Sequence, residues 1–197
     1  MIDSRFGTWR GAVRLGLAHV ERRAGRAAEV PVDPANVQRL VFVCQGNICR
    51  SAYAEAIARR LNVDTASFGL STGSGLSADP AAMVAASELG VDLSAHRTTA
   101  AADFVAKPGD LLLAMEVRQM HRLATDPRFA DIPRALLGAT VGVPHLHDPF
   151  GLSPAYFLTC FRRIEAAVTA LAALYPQARP DGLRSPNRRE TGRDRSG

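Results

Sequence analysis

The stretch Val41-Phe42-Val43-Cys44-Gln45-Gly46-Asn47-Ile48-Cys49-Arg50-Ser51 decides the fold. An apolar run of strand-like residues ends in a cysteine. A short loop containing glycine and asparagine follows, then an arginine, then a helix-like pattern opening Ser51-Ala52-Tyr53-Ala54-Glu55. Strand, loop and helix N-terminus together make a cradle for an oxyanion, because loop amides converge and the helix dipole adds partial positive charge. Here the cradle holds a thiol at its base and a guanidinium at its rim, spaced C-x5-R from Cys44 to Arg50. Surroundings of this kind favour the thiolate, the nucleophilic form of cysteine. Arg50 offers a planar fork that matches two phosphate oxygens. Gly46 permits close backbone approach, Asn47 tolerates left-handed angles, and Ser51 supplies a hydroxyl for the sulfur. Taken without its context, the same stretch also reads as a buried strand cysteine before an ordinary turn.

Outward from this stretch, short apolar strands alternate with helical patterns. Strands are expected at Arg39–Cys44, Ala66–Thr72, Leu111–Met115 and Arg134–Leu137. Helices are expected at Ser51–Leu61, from Asp79-Pro80 to Leu89, from His96-Arg97-Thr98-Thr99, over Glu116–Thr125, and from Ser153-Pro154 to Pro176. Tyr53 and Glu55 read as surface or packing residues. Alternation of this kind predicts an α/β fold with a parallel sheet covered on both faces, its ligand at the carboxyl ends of the strands. The chain divides into a basic amphipathic extension at 1–38, a domain at 39–175 and a disordered basic tail at 176–197.

Charge supports that division. Of the net +5, the first 38 residues carry +2 and the last 22 carry +3, so the domain between them is balanced and does not read as a nucleic-acid platform. Residues 1–8 read as disordered. From Trp9 to Ala24, apolar positions at Trp9, Ala12, Val13, Leu17, Val20 and Ala24 repeat at helical spacing, flanked by Arg10, Arg14, Arg22 and Arg23. Such a helix docks on the domain, moves freely, or makes weak contact with an anionic membrane surface through residues 9–26. Three cysteines make no disulfide framework, Arg14 interrupts the only N-terminal apolar stretch, and no run approaches a membrane span; a cytoplasmic setting is expected.

A second site residue comes from His147-Asp148-Pro149-Phe150. Displacing an ester oxygen from phosphorus needs a proton donor, and Asp148, stiffened by Pro149, suits that role as general acid and then base. Asp-Pro is also a common turn dipeptide. His145 and His147 lack neighbouring ligands and read as loop residues, so neither a metal nor a cofactor is expected. Cys160 falls on the apolar stripe of the last helix and reads as core.

Residues Val43–Ser51 together with Asp148-Pro149 closely resemble the low-molecular-weight protein tyrosine phosphatase family. Ser71-Thr72-Gly73, Asp79-Pro80, Gly90-Val91-Asp92-Leu93, His96 and the Leu112–Met115 strand extend the resemblance over roughly 39–175. It implies a three-layer α/β/α fold around a four-stranded parallel sheet, to which the N-terminal helix is an addition. It also implies a Cys44 nucleophile passing through phosphocysteine, an Arg50 clamp, an Asp148 acid/base and a phosphate-binding loop of Gln45, Gly46, Asn47, Ile48, Cys49 and Ser51. Loop support would come from Thr72 and His96, and one substrate wall from Phe150. Cys49 sits where the family places a cysteine able to trap oxidised Cys44 as a disulfide. The implied substrate is a phosphotyrosine protein, such as a bacterial tyrosine kinase or an exopolysaccharide enzyme. Three departures stand out. The segment Ser74–Ala78 is short and lacks the usual aromatic, Phe150-Gly151 replaces the usual tyrosine pair, and Ala52 replaces a proline. Ile48 favours tyrosine over arginine phosphate, where threonine is usual. A lone downstream Cys160 argues against arsenate reduction. A binding module without catalysis would have no need of both Cys44 and Asp148.

Overall fold

Successive residues of a strand point to opposite faces, and here both faces are apolar. In β1 (Arg39–Cys44), Leu40, Phe42 and Cys44 join one core while Val41 and Val43 join the other. β3 (Asp110–Ala114) repeats this, with Leu111 and Leu113 on the first side and Leu112 and Ala114 on the second. With β2 (Thr65–Gly69) and β4 (Arg134–Leu136) they form a four-stranded parallel sheet in the order β2-β1-β3-β4. The computed structural model describes residues 2–179. Among these, no helix is long and apolar enough to cross a membrane.

Helices cover both faces. α3 (Arg50–Arg60), α4 (Pro80–Glu88) and α6 (Pro154–Leu174) pack on the first, and α5 (Val117–Thr125) on the second, giving three layers. Local chemistry sets their ends. Asp79 accepts from the Ala82 amide and Ser153 from the Tyr156 amide, each followed by proline at the first helical position. α3 stops where Asn62 turns left-handed. Tyr53 is fully buried and stacks on Phe161 at 4.0 Å, which ties α3 to α6 and fixes the helix that follows the cysteine loop. Cys160 is buried in the same core, where burial pushes its thiol up to about 12. In a 2-1-3-4 order the chain changes direction between β1 and β3, so the crevice for a ligand opens at their carboxyl ends.

Several sequence expectations change. Residues 1–8 are not irregular throughout, because Ile2–Phe6 forms α1. β2 ends at Gly69 rather than Thr72, since the Leu70 and Ser71 amides turn to the Cys44 and Gln45 carbonyls. No helix begins at His96. Residues 98–101 run extended beside β2 instead, bonding Gly69 through Thr99 and Ala101. The ordered chain reaches past 176: Ala178 is buried and its carbonyl accepts from the Asp64 amide, while the expected disordered tail from 180 onward lies outside the described residues. The N-terminal helix α2 (Trp9–Arg23) docks through Gly11 and Ala18, not through its large apolar side chains. Beyond it, Val30 pairs antiparallel with Arg134 and covers the β4 edge.

Candidate active site

β1 delivers Cys44 to the end of the sheet, and α3 begins six residues later at Arg50 with no side chain capping its first turn, which leaves N–H groups for an anion. Between them, Asn47 adopts φ +54° and is fully buried. Its own amide donates to Cys44 Sγ at 3.2 Å. Its side-chain Nδ2 donates to Ser51 Oγ (2.8 Å) and Ser67 Oγ (2.7 Å), and its Oδ1 accepts from the Thr99 amide. Because Ser51 Oγ already accepts from Asn47, its proton is free to point at Cys44 Sγ, 3.0 Å away. The sulfur is thus faced by two donors. Gly69 makes this geometry possible, since a Cβ there would lie 2.9 Å from the Gly46 carbonyl carbon and 3.0 Å from the Asn47 nitrogen.

Behind the loop the polar contacts close into a ring. Ser67 donates to Glu55 at 2.5 Å, Glu55 lies 3.9 Å from His96 Nδ1, and His96 Nε2 meets the Asn47 carbonyl at 2.7 Å. A carbonyl can only accept, so Nε2 carries the proton. Thr72 stands outside this ring, because its hydroxyl turns to the Gly73 carbonyl. Ser67, on β2, fills the place expected of Thr72. Glu55 is a buried polar partner rather than a surface residue. Gln45 and Ser71 are stitched together by Arg122, and the Ile48 carbonyl accepts from the Asp79 amide.

Arg50 is 1% exposed and sits between two carboxylates. Nη1 donates to Glu116 Oε1 at 2.5 Å and to the Leu146 carbonyl at 2.8 Å, and Nη2 donates to Asp148 Oδ2 at 2.5 Å. Its Nε is buried without a partner among the described residues, so the guanidinium retains a donor for an anion. Burial works against its charge, but Asp148 and Glu116 reverse that and raise its pKa. Burial likewise opposes charge on Glu116, yet Arg50 holds its carboxyl down at about 2. Glu116 lies two residues beyond β3, after the continuous apolar run Leu111–Met115 that marks the strand end in the sequence. Cys49 is buried beside the loop, and burial, then Asp79 and Asp148, push its thiol well up.

Asp148 is held from several sides. The Leu146 amide bonds the Met115 carbonyl, Tyr156 donates to the His147 carbonyl, and His147 Nε2 meets Thr8 Oγ1 of the N-terminal extension at 3.3 Å. His145 is buried, which lowers its pKa to about 4. Cys44, Arg50 and Asp148 share a small cavity of about 140 Å³ with Gln45, Gly46, Ile48, Cys49 and Phe150, the last 60% exposed. A wider groove between α2 and α5, about 460 Å³, contains neither the thiol nor Asp148. The cavity's nucleophile, cation and carboxylate can together hold and transfer a phosphoryl group.

Known proteins carry the same plan. Residues 39–179 match the family model described as low molecular weight phosphotyrosine protein phosphatase. EpsP of Ralstonia nicotianae, a probable low molecular weight protein-tyrosine-phosphatase, is 34% identical over 89 residues, which is 44% of this chain. That match spans 61% of the relative's length, about three fifths. The tyrosine phosphatase Wzb from Escherichia coli K30, solved in complex with sulphate, superposes with a TM-score of 0.62 at 27% identity, over 70% of this chain and 97% of that one. YwlE arginine phosphatase, solved as a cysteine-to-serine mutant with a phosphorylated active-site serine, gives 0.58 at 30% identity over 68% and 93%. Residues 1–38 lie outside the family match. From its loop, its sheet and these likenesses, the chain belongs to the low molecular weight phosphotyrosine protein phosphatase family.

Proposed function

We propose that the protein hydrolyses phosphotyrosine on proteins through a phosphocysteine intermediate. The observation that carries this reading is the meeting of Cys44, Arg50 and Asp148 in one small cavity. Cys44 thiolate attacks phosphorus while Arg50 and the loop amides hold the equatorial oxygens, and the Sγ–P bond forms as the P–O bond to the phenol breaks. Asp148 gives its proton to the departing phenolate oxygen. Water then enters, Asp148 takes its proton, the S–P bond breaks, and phosphate leaves with the thiolate restored. Asn47 and Ser51 hold the sulfur in place through both steps, and Glu116 keeps Arg50 in register. The phosphorylated serine in the YwlE mutant supports transfer to the residue at the base of this loop. The free cysteines suit a reducing, cytoplasmic setting. Cys49 serves to trap an oxidised Cys44 as a disulfide.

On family resemblance, the substrate is a bacterial tyrosine kinase or an exopolysaccharide enzyme. The likeness to YwlE favours phosphoarginine as a second reading, against which Ile48 stands. Hydrolysis of an aryl phosphate by wild type, Cys44→Ser and Asp148→Asn tests the chemistry, and retained activity in Cys44→Ser would sink it. A panel of phosphotyrosine, phosphoarginine and phosphoserine peptides tests the substrate class.

A further inference from the structure

We propose that α2 is a docking ridge for an anionic lipid surface, on which the helix lies parallel to the membrane plane. α2 touches its own domain through small residues, Gly11 and Ala18, both buried. On the opposite side of the helix, Trp9, Val13, Leu17 and Val20 are 64%, 51%, 54% and 64% exposed. Their spacing puts them on one face, and the docked helix presents that face without leaving the domain.

Charge selects the occupant. Residues 9–26 hold five arginines against one acid, Glu21. At helical spacing Arg10 and Arg14 flank the ridge on one side and Arg23 on the other. The groove between α2 and α5 runs along this flank, where Arg10, Arg14 and Arg118 outnumber the acids Glu21 and Glu116. An apolar ridge with an aromatic at one end and arginines on both flanks fits a bilayer interface, where apolar side chains enter the acyl boundary and guanidinium groups reach anionic headgroups. A second copy fits poorly, because two-fold pairing of the ridge would set each arginine flank against its own kind. The ridge lies outside the family-matched residues 39–179.

Trp9 is the chain's only tryptophan, so its fluorescence reports the ridge directly. The full-length protein is mixed with phosphatidylglycerol-containing vesicles and with phosphatidylcholine vesicles. A blue shift of Trp9 emission and co-sedimentation with the anionic vesicles alone, both weakened by salt, are expected. Arg10→Gln with Arg14→Gln weakens binding roughly 25-fold, at about fivefold per arginine. Val13→Asp with Leu17→Asp abolishes binding while aryl-phosphate hydrolysis, the check on folding, is unchanged. Absence of the shift, or full binding by the Val13→Asp/Leu17→Asp protein, overturns the proposal. So does a concentration-dependent dimer that those substitutions dissolve, with no vesicle binding, which would make a second copy the occupant.

Discussion

Asp148 and an incoming phosphate claim the same nitrogen. Asp148 Oδ2 lies 2.5 Å from Arg50 Nη2, so a phosphate dianion that takes that position must move the carboxylate and also face it as a like charge. Replacing Asp148 by asparagine removes the competitor and the repulsion. Arg50 keeps Glu116 and the Leu146 carbonyl, so the guanidinium stays in place. The Asp148 side chain is 31% exposed, so the pair is screened and its loss is taken as about 1.4 kcal/mol, a tenfold effect. The inhibition constant of inorganic phosphate is therefore expected to fall about tenfold in Asp148→Asn. Leaving-group protonation is lost in the same protein, so kcat falls roughly 100-fold or more for substrates with poor leaving groups. Competitive inhibition by phosphate and kcat across a series of aryl phosphates measure the two effects separately. An inhibition constant that is unchanged or higher in Asp148→Asn would refute the competition for Arg50, whatever happens to kcat.

Acid should weaken the fold through Glu116. Its folded pKa is about 2 against an ordinary 4.5, so its contribution, about 3 kcal/mol, is complete above 4.5 and disappears as pH falls towards 2. His145, buried neutral near 4 against 6.5, acts in the same direction at higher pH, and denaturant titrations between neutrality and about pH 3 will show both. Ser67→Ala leaves a buried Asn47 N–H unpaired and should cost about 1–3 kcal/mol in thermal or urea unfolding, whereas Thr72→Val should be near neutral; the reverse order would restore Thr72 as the loop's support. Gly7→Val places a side chain at φ +77° where a Cβ lies 2.8 Å from Leu152 and Tyr156 and 2.9 Å from His147. The arm is then pushed off the loop that carries Asp148, and kcat for poor leaving groups should fall roughly fivefold, about 1 kcal/mol, with good leaving groups spared.

The Cys44–Ser51 loop is legible in the sequence because its chemistry is local. Cys44 and Arg50 belong to one strand–loop–helix unit, and burial of both faces of β1 and β3 follows from their continuous apolar runs. What crosses the fold is harder to read. Glu116 is 66 positions from Arg50 and becomes its partner only because β1 and β3 are neighbours in the sheet. Ser67 against Thr72 is a matter of register: β2 ends at Gly69, which leaves Thr72 beyond the ring. The apolar stripe of α2 has clear helical period, yet period alone says nothing about which face docks. Gly11 and Ala18 win because small side chains let the helix sit close, as His147 against Gly11 shows.

Phosphoryl transfer to Cys44 requires a covalent bond between phosphorus and its sulfur. Asp148→Ala protein, whose second step lacks its base, is mixed with an aryl phosphate, quenched in acid and digested, and the loop peptide is weighed and sequenced by mass spectrometry. A phosphoryl group on Cys44, absent from Cys44→Ala controls and formed no slower than product, is the expected result. Product release with no phosphoryl group on Cys44 at any quench time, or with the label on another residue, would contradict it.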